Sequence, residues 1–106
     1  MNWFTIFESE EEAKKVLLQN NPITVIVNDK RLCLGIFQGL FYAIDDTCPH
    51  QNASLGKGKI LPYGGIQCPF HHFVFDIKTG KCTSGSCKDV TRYDTRSSNN
   101  KVKILC

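Results

Sequence analysis

Two short segments in the middle of the chain each carry one cysteine and one histidine. The first is Cys48-Pro49-His50 and the second is Cys68-Pro69-Phe70-His71, with seventeen residues, 51–67, between them. One thiolate and one imidazole from each segment make a donor set that suits Zn²⁺ or an iron–sulfur centre. We therefore expect the fold to bring these two loops to one place.

The ligand spacing distinguishes a zinc site from an iron–sulfur centre. Two ligands of one tetrahedral zinc usually stand roughly two to four residues apart, so that the chain can curl around the ion. Cys48 and His50 have a single residue between them, which is too close for an easy chelate of one ion. The spacing fits better if Cys48 and Cys68 bind one iron while His50 and His71 bind a second.

Six cysteines are many for a chain of 106 residues, and they favour either metal binding or a disulfide scaffold. A disulfide between Cys48 and Cys68 is the alternative to a metal, but it would leave both histidines unexplained. We expect Cys33 to be a small buried residue of a strand. Cys106 is the last residue, and we expect it to be mobile.

The composition indicates one folded domain. The chain is 42% hydrophobic and 22% charged, which excludes a disordered chain and allows a modest core. The longest apolar runs, 23–27 and 40–44, are far shorter than a membrane span, and the N-terminus has no leader pattern. The net charge of +3 is spread thinly, which argues against nucleic-acid binding. We expect a cytoplasmic protein.

The pattern of apolar residues predicts a mainly antiparallel β structure with one short helix. Ser9 and Glu12 form a capping box before the helix, and Asn20-Asn21-Pro22 ends it. Short turns at Asn28-Asp29-Lys30, Gln38-Gly39 and 97–100 join neighbouring strands, which favours antiparallel pairing. The predicted strands are 3–7, 23–27, 32–37, 40–44, 65–67, 74–77, 90–95 and 102–105.

The two Cys/His segments and their flanks resemble those of Rieske-type [2Fe–2S] ferredoxins, in which two histidines replace two cysteines on one iron. Residues 51–55 extend the likeness of the first loop, and it continues more weakly to Tyr93 and the final hairpin. The residues that extend the likeness after the second loop are Phe73, Phe75, Asp76, Thr79 and Gly80.

The resemblance implies one [2Fe–2S] cluster per chain, with Cys48, His50, Cys68 and His71 as its ligands. It implies that the cysteines are inner anchors and that the histidines lie near the surface, where they form the route for the electron. His72 stands where a glycine normally follows the ligand histidine, and the Cys-x-x-His spacing favours His71 as the ligand.

For the fold we expect an all-β single domain, 1–106, with an antiparallel β-sandwich or barrel-like base. Residues 1–45 and 75–106 form this base, and a small cluster-binding subdomain, about 46–74, is inserted between its halves. We expect the phenylalanine-rich segment 70–75 to close the subdomain against the base.

The resemblance implies a soluble one-electron carrier without catalytic residues or activity of its own. Its partners would be a flavin-dependent reductase and a terminal oxygenase, as in ring-hydroxylating dioxygenase systems, and the free protein would be monomeric. Two alternatives remain open. One is the small subunit of an assimilatory NAD(P)H-nitrite reductase, beside a sirohaem large subunit; the other is a structural zinc-binding module.

Two features that raise the reduction potential within the family are missing from this sequence. Ala53 and Phe70 occupy the positions where extra cysteines would form a disulfide, and Phe73 and Phe75 occupy those of two hydroxyl side chains. We therefore predict a potential near the low end of the Rieske range, roughly −150 mV.

The segment after the second loop also departs from the family. Residues 83–87 stand in place of the proline-bearing loop that shields the cluster. We expect Cys82 and Cys87, which flank this segment, to be buried or idle thiols rather than a disulfide or redox switch. Four lysines near the loops are expected to form a solvated rim rather than a docking patch: Lys57, Lys59, Lys78 and Lys81.

Overall fold

The computed structural model describes residues 1–17, 21–49, 53–70, 73–85 and 87–106. Within these ranges the chain forms one α-helix, α1 (Glu10–Val16), and no helix is long and apolar enough to cross a membrane. The strands are β1 (Trp3–Phe7), β2 (Ile23–Val27), β3 (Lys30–Phe37), β4 (Leu40–Asp45), β5 (Lys59–Ile60), β6 (Gly65–Gln67), β7 (Val74–Asp76), β8 (Arg92–Tyr93), β9 (Thr95–Ser98) and β10 (Lys101–Leu105).

The strands form three antiparallel sheets, so the predicted all-β antiparallel fold is confirmed. The terminal sheet has the order β1-β10-β9, the central sheet β2-β3-β4-β8, and the third sheet β5-β6-β7. The third sheet includes β5, which the sequence pattern does not predict, because its two residues are too short a run to show alternation.

Tight turns set the pairing of these strands. Both central residues have positive φ at Asn28-Asp29 (52° and 63°), Gln38-Gly39 (53° and 79°) and Asn99-Asn100 (52° and 65°). Such two-residue turns match the twist of antiparallel hairpins. The first two turns are at the predicted places. The third is shorter than the predicted turn at 97–100, because Ser97 and Ser98 pair with β10.

Helix α1 begins at its predicted cap but ends early. The Ser9 hydroxyl accepts a hydrogen bond from the Glu12 backbone N–H at 3.3 Å. The helix ends at Val16, with Leu17 as its C-cap, so it is a short helix of seven residues that ends before the predicted stop at Asn20-Asn21-Pro22. Asn20 itself lies outside the described residues.

The central sheet separates two hydrophobic cores. Alternate residues of β3 face opposite sides: Leu32 and Leu34 pack with the helix and the terminal sheet, whereas Cys33 packs with the third sheet. In β4, Ala43 and Ile44 divide in the same way. This follows from the two-residue period of a strand that is buried on both faces. Cys33 is fully buried, as predicted.

The predicted strand 90–95 is wrong in its extent. Val90 leaves the sheet and packs into the core beside the third sheet. Strand β8 pairs with β4 and β9 pairs with β10, with Asp94 between them. The chain passes from the central sheet to the terminal sheet at Asp94. In this way backbone N–H and C=O groups at the edges of both β4 and β10 obtain hydrogen-bond partners.

The C-terminus is also different from the prediction. Cys106 is buried, with its side chain packed in the core of the terminal sheet. Its backbone exchanges two hydrogen bonds with Asn2, at 2.9 and 3.0 Å. The expectation of a mobile terminal residue is therefore wrong, because β1 and β10 continue their pairing to the chain end.

Candidate metal centre

The described ends of the two Cys/His segments are joined by matching backbone hydrogen bonds. The Cys48 backbone N–H donates to the Ala53 carbonyl at 2.9 Å, and the Cys68 N–H donates to the Phe73 carbonyl, also at 2.9 Å. We call residues 48–53 the first ligand loop and residues 68–73 the second ligand loop. His50, His71 and His72 lie outside the described residues, so their roles stay predictions.

The two loops bring their cysteines into one apolar core. Cys48 is 0% exposed and Cys68 is 3% exposed, and both belong to the hydrophobic cluster that also contains Leu55 and Phe75. The cysteines are not joined by a disulfide, which removes the alternative of a Cys48–Cys68 bond. Two buried thiols in one water-poor pocket are suitable anchors for a soft metal centre.

A buried carboxylate, Asp46, fixes the start of the first ligand loop. It is 0% exposed and its carboxylate accepts four hydrogen bonds. The donors are the Thr24 hydroxyl (2.9 Å), the Ser54 hydroxyl (2.7 Å), the Gly56 N–H (2.8 Å) and an Nη of Arg31 (3.3 Å). A buried charge is tolerated only with such a set of partners.

The Asp46 network ties the loop to two other parts of the chain. Thr24 lies on β2 and Arg31 on β3, while the Asp46 carbonyl accepts from the Leu55 N–H at 2.6 Å. Asp46 therefore holds both sides of the first loop. The metal-ligand spacing does not point to Asp46, although an acidic residue two positions before a candidate ligand is a visible signal in the sequence.

Close backbone approach joins the two halves of the site. A Cβ on Gly58 would lie 1.9 Å from the Gln67 carbonyl oxygen, in the residue before Cys68. A Cβ on Gly56 would lie 2.2 Å from the Thr24 Oγ1. Glycine is required at both positions because any side chain would collide.

The thiol of Cys33, which lies in the same core, differs from the candidate ligands. Burial raises its pKa well above the ordinary value, and the charge of Asp46 raises it further. Cys33 therefore remains a protonated, structural thiol at neutral pH.

Tyr93 attaches β8 to the end of β4, just before Asp46. Its hydroxyl donates to the Asp45 carboxylate at 2.8 Å, and the Thr91 N–H donates to the other oxygen at 3.1 Å. Burial, together with the hydrogen bond and charge of Asp45, raises the pKa of Tyr93 to about 12. The phenol is therefore neutral across the physiological range.

The outer face of the second loop corrects a prediction. Phe75 is fully buried and Phe73 is half-buried, but Phe70 is 74% exposed. The segment 70–75 thus closes the core only through its C-terminal part. Phe75 faces inward because it pairs with Ile66 in the third sheet, whereas Phe70 lies on the exposed part of the loop.

A cleft of about 420 Å³ lies beside Phe70. It reaches Cys68, and Lys57 and Lys59 are on its wall. Both lysines are exposed, as either a solvated rim or a docking patch requires.

Cys82 and Cys87 form a disulfide, so the expectation of two thiols is wrong. Their Cα atoms are 5.6 Å apart, a normal separation for a bridged pair. Gly85 has a φ of +119°, which lets the short segment between the cysteines reverse direction. Spacing alone could not show this reversal.

The sequence model of the Rieske [2Fe–2S] domain family matches residues 2–94. The chain belongs to this family. The family prediction is thereby confirmed, and so is the cofactor, because Rieske domains bind a [2Fe–2S] cluster. The described residues fit that group, since two buried thiols belong to one hydrophobic core, and each begins a segment closed by a matching backbone hydrogen bond.

Relatives of known function differ in how much of their length this chain spans. The ferredoxin component of naphthalene 1,2-dioxygenase/salicylate 5-hydroxylase systems from Ralstonia sp. is 34% identical over 88 residues, which cover 81% of this chain and 83% of the relative. Cholesterol 7-desaturase from Caenorhabditis elegans is 35% identical over 81 residues, 76% of this chain but 18% of the relative. The 3-phenylpropionate/cinnamic acid dioxygenase ferredoxin subunit of Escherichia coli K12 is 34% identical over 66% of this chain and 58% of its own length.

Solved structures of the same fold include free and complexed ferredoxins. The ferredoxin of carbazole 1,9a-dioxygenase from Nocardioides aromaticivorans IC177 has a TM-score of 0.86 at 22% identity, covering 99% of this chain and 98% of its own. A complex of reduced oxygenase and oxidized ferredoxin in carbazole 1,9a-dioxygenase has a TM-score of 0.81 at 25% identity, covering 97% and 92%. A nitrite reductase small subunit from Mycobacterium tuberculosis reaches 0.82 at 18% identity, covering 97% and 93%. Likenesses at 22% and 18% identity show the fold alone.

Proposed function

We propose that this Rieske protein is a one-electron carrier that takes an electron from a flavin-dependent reductase and passes it to a terminal oxygenase. The observation that carries the proposal is the pair of matching loops with buried cysteines, whose second member exposes Phe70. The similarity to dioxygenase ferredoxins over most of the chain supports it.

We propose that Cys48 and Cys68 hold one iron of the cluster and that His50 and His71 hold the other. When bound, the cluster supplies a centre that accepts and releases a single electron. The core around the two cysteines leaves Cys48 fully buried and Cys68, which the cleft beside Phe70 reaches, 3% exposed. The Asp46 network holds the first loop in one geometry, so little rearrangement accompanies a change of charge.

The contact surface for partners would be the outer face of the second loop. Phe70 offers exposed apolar area, and Lys57 and Lys59 place positive charge beside it. An apolar contact surrounded by charge favours a transient complex whose formation is steered by electrostatics. A partner with an apolar depression and nearby carboxylates fits this face.

The division of the chain, its location and its assembly belong to the same proposal. Residues 46–74 would form the cluster-binding subdomain on a base built from 1–45 and 75–106. The third sheet, which lies between residues 59 and 76, supports this division in part. A monomeric cytoplasmic carrier fits a protein that must meet two partners in turn.

Electron paramagnetic resonance of the dithionite-reduced protein, beside an iron and zinc assay, tests the function. We expect two irons per chain and a rhombic signal with average g near about 1.9, which mixed His/Cys ligation produces. A colourless protein with stoichiometric zinc would select the structural zinc module instead. Stable co-purification with a sirohaem subunit would select the nitrite reductase subunit.

Paired variants test the ligand assignment. Cys48→Ala and His71→Ala should abolish the iron signal because each removes a proposed ligand. Cys33→Ala and His72→Ala are the matched controls and should retain two irons per chain. Loss of iron in His72→Ala with retention in His71→Ala would reverse the assignment of the second histidine.

A further inference from the structure

The Cys82–Cys87 disulfide packs against the core that holds the candidate ligands. Both of its cysteines are half-buried and contact the hydrophobic cluster that contains Cys48 and Cys68. A disulfide in this position connects an exposed surface segment to the neighbourhood of the metal centre. We call the described residues 82–85 and 87 the disulfide loop.

The disulfide loop supplies both backbone hydrogen-bond partners of Val74. The Val74 N–H donates to the Ser84 Oγ at 2.9 Å, and the Val74 carbonyl accepts from the Thr83 N–H at 2.9 Å. The Thr83 hydroxyl donates to the same carbonyl at 3.3 Å. The outer edge of β7 is therefore covered by this loop.

Val74 connects the disulfide loop to the second ligand loop. It follows Phe73, whose carbonyl accepts the hydrogen bond of the Cys68 N–H. A continuous path of contacts thus runs from the disulfide through Thr83 and Ser84 to Val74, and then to Cys68. A change in the disulfide loop alters the support of the second ligand loop.

The loop has the chemical features of an exchangeable disulfide. Thr83, Ser84 and Gly85 are exposed, so an external thiol can approach. The Ser84 Oγ lies 3.8 Å from the Cys82 sulfur and 3.9 Å from the Cys87 sulfur, where its hydroxyl can donate to a departing thiolate. Lys81 and Lys88 flank the pair in sequence, and nearby positive charge stabilises thiolates.

The short span of the disulfide also argues against a purely structural role. The two cysteines are five residues apart, and a disulfide that closes so short a loop restricts the unfolded chain less than a long-range one. In reducing compartments, disulfides are usually transient and serve catalysis or redox sensing.

We propose that Cys82 and Cys87 form a thiol–disulfide exchange site for a dithiol reductant of the thioredoxin class, and that their reduction releases the disulfide loop from Val74. A thiolate of the reductant attacks one of the two sulfurs, a mixed disulfide forms, and the other sulfur leaves as a thiolate that takes up a proton. The second thiol of the reductant then gives up its proton and resolves the mixed disulfide. The chain gains two electrons and two protons, and the reductant becomes a disulfide.

Release of the loop increases solvent access to the second ligand loop. Greater solvent access should weaken retention of the cluster, and this effect rests on the proposed function. The thiol–disulfide exchange and the loop release do not rest on it. Both of these are measured on the full-length protein as purified.

The first experiment incubates the full-length protein as purified with excess reduced thioredoxin and follows two readouts. Alkylation with peptide mapping reports thiols at positions 82 and 87, and hydrogen exchange reports the Val74 and Thr83 amides. We expect both cysteines to become alkylated and both amides to exchange up to about tenfold faster, as the loss of one hydrogen bond allows. The exchange rate of the Leu105 amide, which lies in the terminal sheet and donates to the Asp94 carbonyl, should not change.

The double variant Cys82→Ser/Cys87→Ser is the matched control and should show the faster exchange with and without thioredoxin. Ser84→Ala keeps the disulfide and should accelerate exchange at Val74 without releasing thiols, so the proposal remains testable if the double variant fails to fold. Failure of thioredoxin to release these thiols in the native chain, or release with unchanged exchange at Val74 and Thr83, would overturn the proposal.

A separate measurement on the iron-loaded protein tests the consequence. Reduction of the disulfide should increase the rate of iron transfer to a chelator several-fold. If the chain never binds iron, the proposed function fails while the exchange site stands. If iron is bound and its transfer does not respond to reduction of the disulfide, the link between the loops is wrong.

Discussion

The two ligand loops have the same backbone closure but different support. The first loop depends on the buried Asp46 carboxylate, which gathers donors from β2, β3 and residues 54–56. The second loop depends on sheet pairing through β6 and β7 and on the disulfide loop that covers Val74. The first support is a buried carboxylate with its hydrogen-bond donors, whereas the second combines a mostly buried sheet with the exposed residues Thr83 and Ser84.

This difference has a functional consequence. A buried, fully hydrogen-bonded carboxylate specifies one geometry and opens only with large disruption. A loop supported by exposed turns and a surface disulfide opens at lower free energy. We therefore expect the second loop, where Phe70 meets solvent, to open more easily than the first.

Asp46→Ala should have the largest effect on stability. The substitution leaves the partly buried donors of Thr24, Ser54 and Gly56 without their acceptor, and each unsatisfied donor costs about 1–3 kcal/mol. Urea unfolding of the apoprotein measures the loss. Asp46→Asn, which keeps one acceptor oxygen, should lose less.

Hydrogen exchange in the Asp46→Ala variant shows whether the effect is confined to the first loop. Exchange at the Cys48 amide should accelerate more than exchange at the Cys68 amide. Equal acceleration at both would show that the two loops do not have independent supports.

Gly58→Ala should have the next largest effect because it acts where the two halves meet. The new Cβ would collide with the Gln67 carbonyl, and overpacking of this kind costs about 1–3 kcal/mol. Thermal unfolding measures it, with Lys57→Ala at the adjacent exposed position as the control, which should change stability by about 0.5 kcal/mol at most. A stable Gly58→Ala variant would contradict the close approach of these segments.

Tyr93→Phe should remove part of the pH dependence of stability near the first loop. The pKa of Tyr93 is raised in the folded state to about 12 from the ordinary value of 10.0. Its stabilising contribution is therefore complete below pH 10 and is lost as the pH rises from 10 towards 12. Unfolding midpoints at pH 9 and pH 11.5 should differ less in the variant than in the parent; an equal difference would mean that other groups dominate.

Phe70→Ala should have the smallest effect on stability and a clear effect on electron transfer. Because Phe70 is 74% exposed, its removal should change the free energy of unfolding by about 0.5 kcal/mol at most. Stopped-flow reduction by the partner flavoprotein, or reoxidation by the oxygenase, should slow several-fold. Tyr63→Ala, at a site 69% exposed, is the matched aromatic control and should transfer electrons at the parent rate.

The reduction potential stays a prediction that concerns the second loop directly. Phe73 and Phe75 offer no hydroxyl to the site, and Phe75 is fully buried. A potentiometric titration should therefore give a midpoint of roughly −150 mV. A clearly positive midpoint would show that donors elsewhere in the fold replace the missing hydroxyls.

Sequence patterns predicted the parts of this fold that depend on neighbouring residues. Strand β2 has its predicted bounds, and Asn28-Asp29 forms its turn, because alternation and left-handed turn residues act over a few positions. The boundaries around Asp94 were not predictable in this way. Strands β8 and β9 join different sheets there, and the change depends on edges formed by distant β4 and β10.

The candidate site also has some features that the local sequence predicts and others that depend on distant segments. The Cys-x-His and Cys-x-x-His segments, together with flanks that resemble those of Rieske ferredoxins, predicted the family and the cluster from the sequence, and the family model confirms both. The four ligands stay a prediction. The tertiary structure alone decided which groups support them. Asp46 became the anchor of the first loop, Cys82 and Cys87 became a disulfide, and Phe70 became exposed, because burial, charge pairing and thiol proximity depend on segments far apart in the chain.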